Sequence, residues 1–344
     1  MRYKKILFLL LPVIILSGSR LCAQDNMYTQ FFNSPIYLNP ALTGQFDGDL
    51  RMTMIYRNQW TSVPGNFSYT TASIDYNMPQ FGGGVGLLLN RSSEGTAYLV
   101  NNSIAGTYAY SVGAEGFVLS FGLQAGIANR TIDYSKLVFD DQLDPRIGIV
   151  PGATSAADAI PFNNKFYFDS GAGINLVVGD FNIGGAVQHI NQPNESFTGT
   201  PARLAMRDVA HISYRWDLDA NQNMYDDEKS YVIPSVVYSK QYTAYTLSAG
   251  LQYKRGNINA GLWYHSGGQS GPSSVGISLI FDMIVNREGK EKFRFGASHD
   301  IPVQGLNYGN TSGISEGSIG YQTTLPSRNT EPKFEGLRRC YDFY

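Results

Sequence analysis

The sequence predicts an all-β chain: a transmembrane antiparallel β-barrel of about fourteen strands with an N-terminal segment folded inward. Three observations carry that expectation. The chain opens with an export signal. Segments of about ten residues then alternate apolar and polar side chains along the rest of its length. The polar partners in the alternation are Gly, Ser, Thr, Asn and Gln, whereas the wet face of a soluble sheet would carry more Lys and Glu.

The composition fits strands that show one face to lipid and the other to a watery lumen. Hydrophobic residues make up 43% of the 344, yet the mean hydropathy is only -0.19. Charged residues fall to 16%, against roughly 25% in soluble globular domains. Aromatics reach 13%, with 37 Gly and 23 Tyr. A net charge of -2 offers no basic face for nucleic acid.

Residues 1–23 read as the signal. Arg2, Lys4 and Lys5 form its positive start, Ile6 to Leu16 its apolar core, and Leu21-Cys22-Ala23 the cleavage region. The apolar core falls short of the roughly 20 residues that a membrane-crossing helix needs, which argues against a retained anchor. Lipidation at Cys22 is disfavoured, because Arg20 and Leu21 stand where small residues precede a lipidated Cys. Cleavage makes Gln24 the mature start and leaves Cys340 without an internal disulfide partner. No later segment supplies an unbroken apolar helix. A membrane-spanning chain of this kind must therefore close into a barrel, since open sheet edges cannot be satisfied in lipid.

The strands follow in order. One face of 117–127 reads Phe117, Leu119, Phe121, Leu123, Ala125, Ile127, and the other Val118, Ser120, Gly122, Gln124, Gly126. Tyr245, Leu247, Ala249, Leu251 and Tyr253 alternate with Thr246, Ser248, Gly250, Gln252 and Lys254, and Tyr closes both ends as two interfacial girdles require. Fourteen spans result: 49–60, 66–77, 83–92, 97–111, 116–130, 165–178, 180–190, 207–217, 230–240, 243–254, 256–266, 273–286, 291–301 and 314–325. From a periplasmic start, the long connections 131–164, 191–206 and 302–313 fall outside, while 218–229 is a long connection on the periplasmic side. The domain plan is a plug or seal at 24–48, a barrel at 49–325 and a periplasmic tail at 326–344.

The segment before the barrel reads Gln30-Phe31-Phe32-Asn33-Ser34-Pro35, then Asn39-Pro40-Ala41-Leu42-Thr43-Gly44, then Arg57-Asn58-Gln59-Trp60. Tyr108-Ala109-Tyr110, His211 before Tyr214, Pro234-Ser235, Gly296-Ala297-Ser298-His299-Asp300 and Arg339-Cys340 follow. Together they resemble the PorP/SprF family of outer-membrane proteins linked to the type IX secretion system of Bacteroidota. The family often ends in a Cys-Pro-Arg-Phe-like tail, whereas Cys340 here precedes Tyr341-Asp342-Phe343-Tyr344. The resemblance implies an outer-membrane protein-binding barrel. Its expected partner is a secreted surface protein or adhesin with a type B C-terminal domain, whose secretion or attachment it supports. A role docking the periplasmic ring of the secretion machine is the family's other job. An Asn-Pro-Ala element also occurs in FadL-type barrels, so a channel for small hydrophobic ligands is the alternative.

Six residues are candidates for the plug or for partner binding: Asn39, Pro40, Ala41, Gly44, Arg57 and Trp60. Pro35 and Pro40 oppose regular strand here. Arg51, Arg57, Arg91 and Arg130 are expected in the lumen or at an edge, because a charge facing lipid costs roughly 2–4 kcal/mol near the midplane. Asp75, Asp169, Asp282 and Glu316 are their candidate partners. The run 217–228 places Asp217, Asp219, Asn221 and Glu228 at calcium-loop spacing, but Gln222 stands where such a loop needs Gly. An acidic hairpin is the simpler reading, and no cofactor is otherwise expected. Gly313-Ile314-Ser315-Glu316-Gly317 matches G-x-S-x-G without the strand-to-helix elbow that motif needs. His189, His211, His265 and His299 are dispersed. No catalytic constellation emerges.

Overall fold

A computed structural model describes residues 25–114, 116–150, 152–153, 155, 163–198, 200–219, 229–267, 273–286, 291–325 and 339–343. The signal region lies outside them. Fourteen long strands form the wall: β1 (Leu50–Gln59), β2 (Phe67–Met78), β3 (Gly83–Glu94), β4 (Leu99–Ala114), β5 (Phe117–Thr131), β6 (Asn164–Val178) and β7 (Phe181–Gln188). The second half comprises β8 (Arg207–Tyr214), β9 (Ser230–Gln241), β10 (Ala244–Arg255), β11 (Ile258–Ser266), β12 (Ser273–Asn286), β13 (Glu291–Gln304) and β14 (Ile314–Thr323). Each pairs antiparallel with its neighbour in sequence. The sheet closes where β1 meets β14, in register from Leu50↔Thr323 to Gln59↔Ile314. Closure leaves no sheet edge to lipid.

The alternation holds. On β5, Phe121, Leu123 and Ile127 face outward, and Leu123 is 63% exposed without lipid. Val118, Ser120 and Gly122 face the lumen and are buried. Phe166 and Phe168 on β6 and Ile277, Leu279 and Phe281 on β12 extend the outer apolar belt. Aromatic pairs stand at both rims: Tyr238–Tyr245 at one and Phe181–Tyr214 and Phe293–Tyr321 at the other. Strand β4 runs three residues past its expected end, because Ala114 still pairs with Phe117.

Connections 60–66, 95–98, 132–163, 189–206, 242–243, 267–272 and 305–313 share one end, the outer end of a bacterial barrel with short periplasmic turns. Both termini of the wall lie at the other end. The loop 132–163 carries an additional small hairpin, Leu143–Asp144 paired with Gly148–Ile149. On the periplasmic side, Trp216–Asp217 forms a short strand against Val232 and Tyr231.

Residues 25–48 fill the lumen. Three one-turn helices shape them: Phe31–Asn33, Pro35–Leu38 and Pro40–Leu42. Proline opens the second and third, where its missing N–H costs nothing and its fixed φ suits the turn. Phe31, Phe32, Leu38 and Leu42 pack with Trp263, Val237, Val209 and Val177 of the wall in one apolar core. Of the tail expected off the barrel, the described residues 339–343 reach this core, where Cys340 and Phe343 are buried. The physical reason is complementarity, since the plug and wall leave an apolar patch that Phe343 covers. Cys340 Sγ also contacts Gln45 O at 3.7 Å, and the Arg339 guanidinium donates to Gln45 Oε1 at 2.6 Å.

Candidate functional site

The candidate site is the interface between plug and wall. Each residue of Asn39-Pro40-Ala41-x-x-Gly44 has a distinct job there. Asn39 Oδ1 accepts the Ala41 N–H at 2.9 Å and caps the Pro40 turn. Asn39 Nδ2 donates to Ile174 O of β6 at 3.0 Å and lies 3.3 Å from His211 Nε2 of β8. Ala41 is wholly buried over Gly122, where an added Cβ would stand 2.1 Å from the Ala41 nitrogen. Gly173 likewise leaves room for Asn39. Gly44 adopts φ 69 and sits back to back with Gly84 of β3.

Two ion pairs grip the plug. Near its inner end, Arg51 binds Asp75 at 2.7 Å. The Gly44 N–H donates to the same carboxylate at 2.7 Å, and Arg51 also reaches Leu42 O at 3.3 Å. Near its outer end, Arg57 binds Glu316 at 2.6 Å. Glu316 accepts both the Thr29 and Gln30 N–H groups, at 2.9 and 3.0 Å. Thr29 Oγ1 donates to Asp300 at 2.6 Å, and Gln30 Nε2 to Ser298 at 3.2 Å. Buried carboxylates held by both an arginine and backbone N–H groups are satisfied on every side.

The expected charges divide among several roles. Arg51, Asp75, Arg57 and Glu316 hold the plug. Asp282 pairs with Arg294 at 2.6 Å, an arginine the sequence reading passed over, and Arg130 ties loop residue Glu195 to the wall at 2.6 Å. Arg91 stays exposed toward the outer rim and donates to Asn102 at 3.0 Å. Asp169 joins His189 at 2.9 Å, and the second ring nitrogen of His189 meets Asp25 at 2.7 Å. Burial alone would lower the His189 pKa, but the two carboxylates raise it to about 10. Burial opposes the charge on Asp25, yet His189 and Arg207 bring its pKa down to about 2. Trp60 takes no part in the plug: its N–H bonds Gly313 O at 2.9 Å at the outer rim, and its ring packs edge-on against Phe67.

The remaining candidates scatter. Asp217 accepts from Arg215 at 2.9 Å and Asp219 from the Ser230 N–H at 2.9 Å, while Asn221 and Glu228 lie outside the described residues. Among the described residues no group of three or more His, Cys, Asp or Glu is placed to hold a metal ion. Ser315 lies on the outward face of β14 and meets His299 Nδ1 at 3.0 Å, while Tyr308 meets the other ring nitrogen at 3.2 Å. Among the described residues no carboxylate hydrogen-bonds that ring, and Glu316 points the opposite way, into the plug.

Two cavities flank the plug. The outer one, about 80 Å³, lies against β2–β6 among Tyr28, Tyr69, Tyr167, Asn101 and Gln124. The inner one, about 280 Å³, lies near the periplasmic end among Arg51, Arg215, Lys254, Asp282, Lys292 and Arg294.

A closed wall with an apolar belt, its lumen filled by its own N-terminal segment, defines a plugged outer-membrane β-barrel. The chain belongs to the family described as type IX secretion system membrane protein PorP/SprF, whose model matches residues 21–321. Among solved structures it is similar to the Acinetobacter baumannii outer membrane protein Omp33, at 7% identity and TM-score 0.40, covering 80% of this chain and 99% of that one. It is also similar to a Pseudomonas aeruginosa FadL homologue, at 12% identity and TM-score 0.42, over 84% and 92% of the two chains. The Pseudomonas putida toluene transporter TodX aligns at 10% identity and TM-score 0.42, over 86% and 93%. No curated protein matches the chain. Several residues that carry the family resemblance, dispersed in sequence, meet in space: Asn39, Gly44, Arg57, His211, Ser298, Asp300 and Cys340 lie at or beside the plug, whereas Trp60 stands at the rim and Tyr108 and Tyr110 on the outer face.

Proposed function

We propose that this barrel binds a secreted surface protein through that protein's type B C-terminal domain and supports its secretion or attachment at the cell surface. The observation that supports this best is the gripped plug. A lumen occupied from Asp25 to Gly48, with ion pairs at both ends, leaves no conduit for a protein chain. The barrel's service to a secreted protein is then docking. Outer surfaces offered for docking are the loop around Asp140-Asp141-Gln142-Leu143-Asp144, with its hairpin exposing Leu143, Ile147 and Ile149, and the loop 191–203. A channel for small hydrophobic ligands would want a continuous apolar passage, whereas the inner cavity sets Phe32 and Phe46 beside Arg51, Asp282 and Arg294, and the outer one mixes Tyr28 and Tyr69 with Asn101, Gln124 and Arg207.

The test is gentle detergent purification of the tagged protein from its native membrane, with mass spectrometry of what accompanies it. A stoichiometric secreted protein, retained through its C-terminal domain, is the expected outcome. Periplasmic ring components in its place would move the role to machine assembly. Lipids or fatty acids with no retained protein would overturn both.

A further inference from the structure

The plug runs the full height of the lumen, and its direction is fixed by its contacts. At the start, the Asp25 N–H donates to Gln241 Oε1 at 2.7 Å and its carboxylate meets His189 at 2.7 Å. Gln241 is the last residue of β9, and His189 the first residue after β7; both stand at the outer end. Thr29 and Gln30 lie a little deeper, on Glu316 near the outer start of β14. Asn39 reaches mid-wall at Ile174. Gln45 bonds Ser111 near the inner end of β4, and the Asp49 N–H meets Thr323 O where the wall begins and ends.

We infer that the plug's amino end faces outward, so that the mature N-terminus is displayed at the cell surface and, with the exposed edge of Asp25 beside it, forms part of the surface a docked secreted protein touches. The contact half of this inference rests on the proposed function; the display half does not. Asp25 is suited to contact, because about a third of its side chain remains exposed (32%) while its other edge is held by His189.

A consequence concerns processing. The residue before Gln24 is Ala23, and behind it lies the apolar run Ile6 to Leu16. With Asp25 at the outer mouth, that run would leave the barrel into water, where burying nothing it loses the favourable transfer that stabilises apolar side chains. Hydrolysis of the Ala23–Gln24 bond, leaving a carboxylate on Ala23 and an amine on Gln24, must therefore precede seating of the plug.

The experiment places a short epitope between Gln24 and Asp25 in the full-length protein and reads antibody binding on intact cells. In parallel, Asn26→Cys is treated with a membrane-impermeant maleimide; Cys340, buried toward the opposite end, serves as an internal control. The two routes differ in bulk, so one reports if the other impairs assembly. Labelling of intact cells is the expected result, falling at least several-fold in cells whose barrel has its secreted partner bound. Labelling only after permeabilisation would overturn the display. Equal labelling with and without a co-purifying partner would overturn the contact while leaving the docking function standing. Surface labelling with no protein ever co-purifying would overturn the contact together with the docking function and leave the display intact.

Discussion

The plug meets the two sides of its barrel by different means. Against β3, β5 and β6 it rests on missing atoms: Gly84 and Gly122 form recesses for the backbone of Gly44 and Ala41, and Gly173 one for the Asn39 side chain. Against β1, β13 and β14 it is held by charge and hydrogen bonds, through Arg57, Ser298, Asp300 and Glu316. One side fixes depth by shape, the other attachment by chemistry. The first should be indifferent to charge and intolerant of a methyl group; the second should behave the other way round.

The largest test is on the chemical side. Glu316→Ala leaves Arg57 buried with only Asp300, at 4.0 Å, to balance it and removes the acceptor from two plug N–H groups. Breaking a buried pair this way costs about 3–5 kcal/mol. We expect the outer half of the plug to become protease-sensitive between residues 25 and 34, read by limited digestion and mass spectrometry in detergent. Glu316→Gln, which keeps acceptor and shape but not charge, should be intermediate. Full resistance of Glu316→Ala would mean that shape alone holds the plug.

On the shape side, Gly122→Ala adds one methyl beneath the Ala41 backbone, and overpacking of this kind costs about 1–3 kcal/mol. The expected result is a lower thermal midpoint and looser residues 39–44 by hydrogen exchange. Gly317→Ala, on the outward face with nothing within 4 Å of the new atom, is the control and should be silent. Equal effects from both would erase the distinction between recess and open face. Asn39→Ala acts at the junction of shape and bonding, removing the cap on Ala41 N and the bond to Ile174 O, for about 0.5–2 kcal/mol. A local rise in exchange around 40–43, with the ends of the plug unchanged, is the expected signature.

How much of this was legible beforehand follows the range of the forces involved. Period-two alternation is local, so fourteen strands could be read with most ends placed within a few residues, and Pro35 and Pro40 alone removed the plug segment from the wall. Arg51, Arg57, Asp75 and Glu316 could be named as inward charges by exclusion from lipid. Their pairing could not, because Arg57 meets Glu316 only through closure of β1 on β14, a contact between the two ends of the barrel sequence. Gly122 and Gly126 look alike in sequence on the same face of β5; only the seated Ala41 separates them. The return of Phe343 and the Asp25–His189 contact were invisible for the same reason, since neither has any local pattern. Trp60, named for the plug or for partner binding, stands at the outer rim instead of in the plug, a placement that no local pattern separates from that of Arg57.

The smallest effect belongs to the latch at the plug's outer tip, where neither shape nor the Glu316 grip operates. His189 lies between Asp25 and Asp169, with Arg207 close by, and its pKa rises from 6.5 to about 10. A raised pKa stabilises the folded latch fully below pH 6.5, and that contribution declines as pH rises toward 10. Asp25, lowered from 3.8 to about 2, contributes above pH 3.8 and loses its share as pH falls toward 2. The latch is therefore tightest between about pH 4 and 6.5, and its alkaline limb spans the physiological range. Because Asp25 is about a third exposed, solvent screening keeps the effect to roughly 1 kcal/mol or less. Maleimide reactivity of Asn26→Cys, corrected for thiol ionisation with a free thiol, should rise gradually from pH 6.5 to 9. His189→Ala should flatten that slope and leave reactivity high throughout. A slope unchanged by His189→Ala would assign the alkaline loosening elsewhere and leave the plug's tip held by the Gln241 contact and the deeper Glu316 grip.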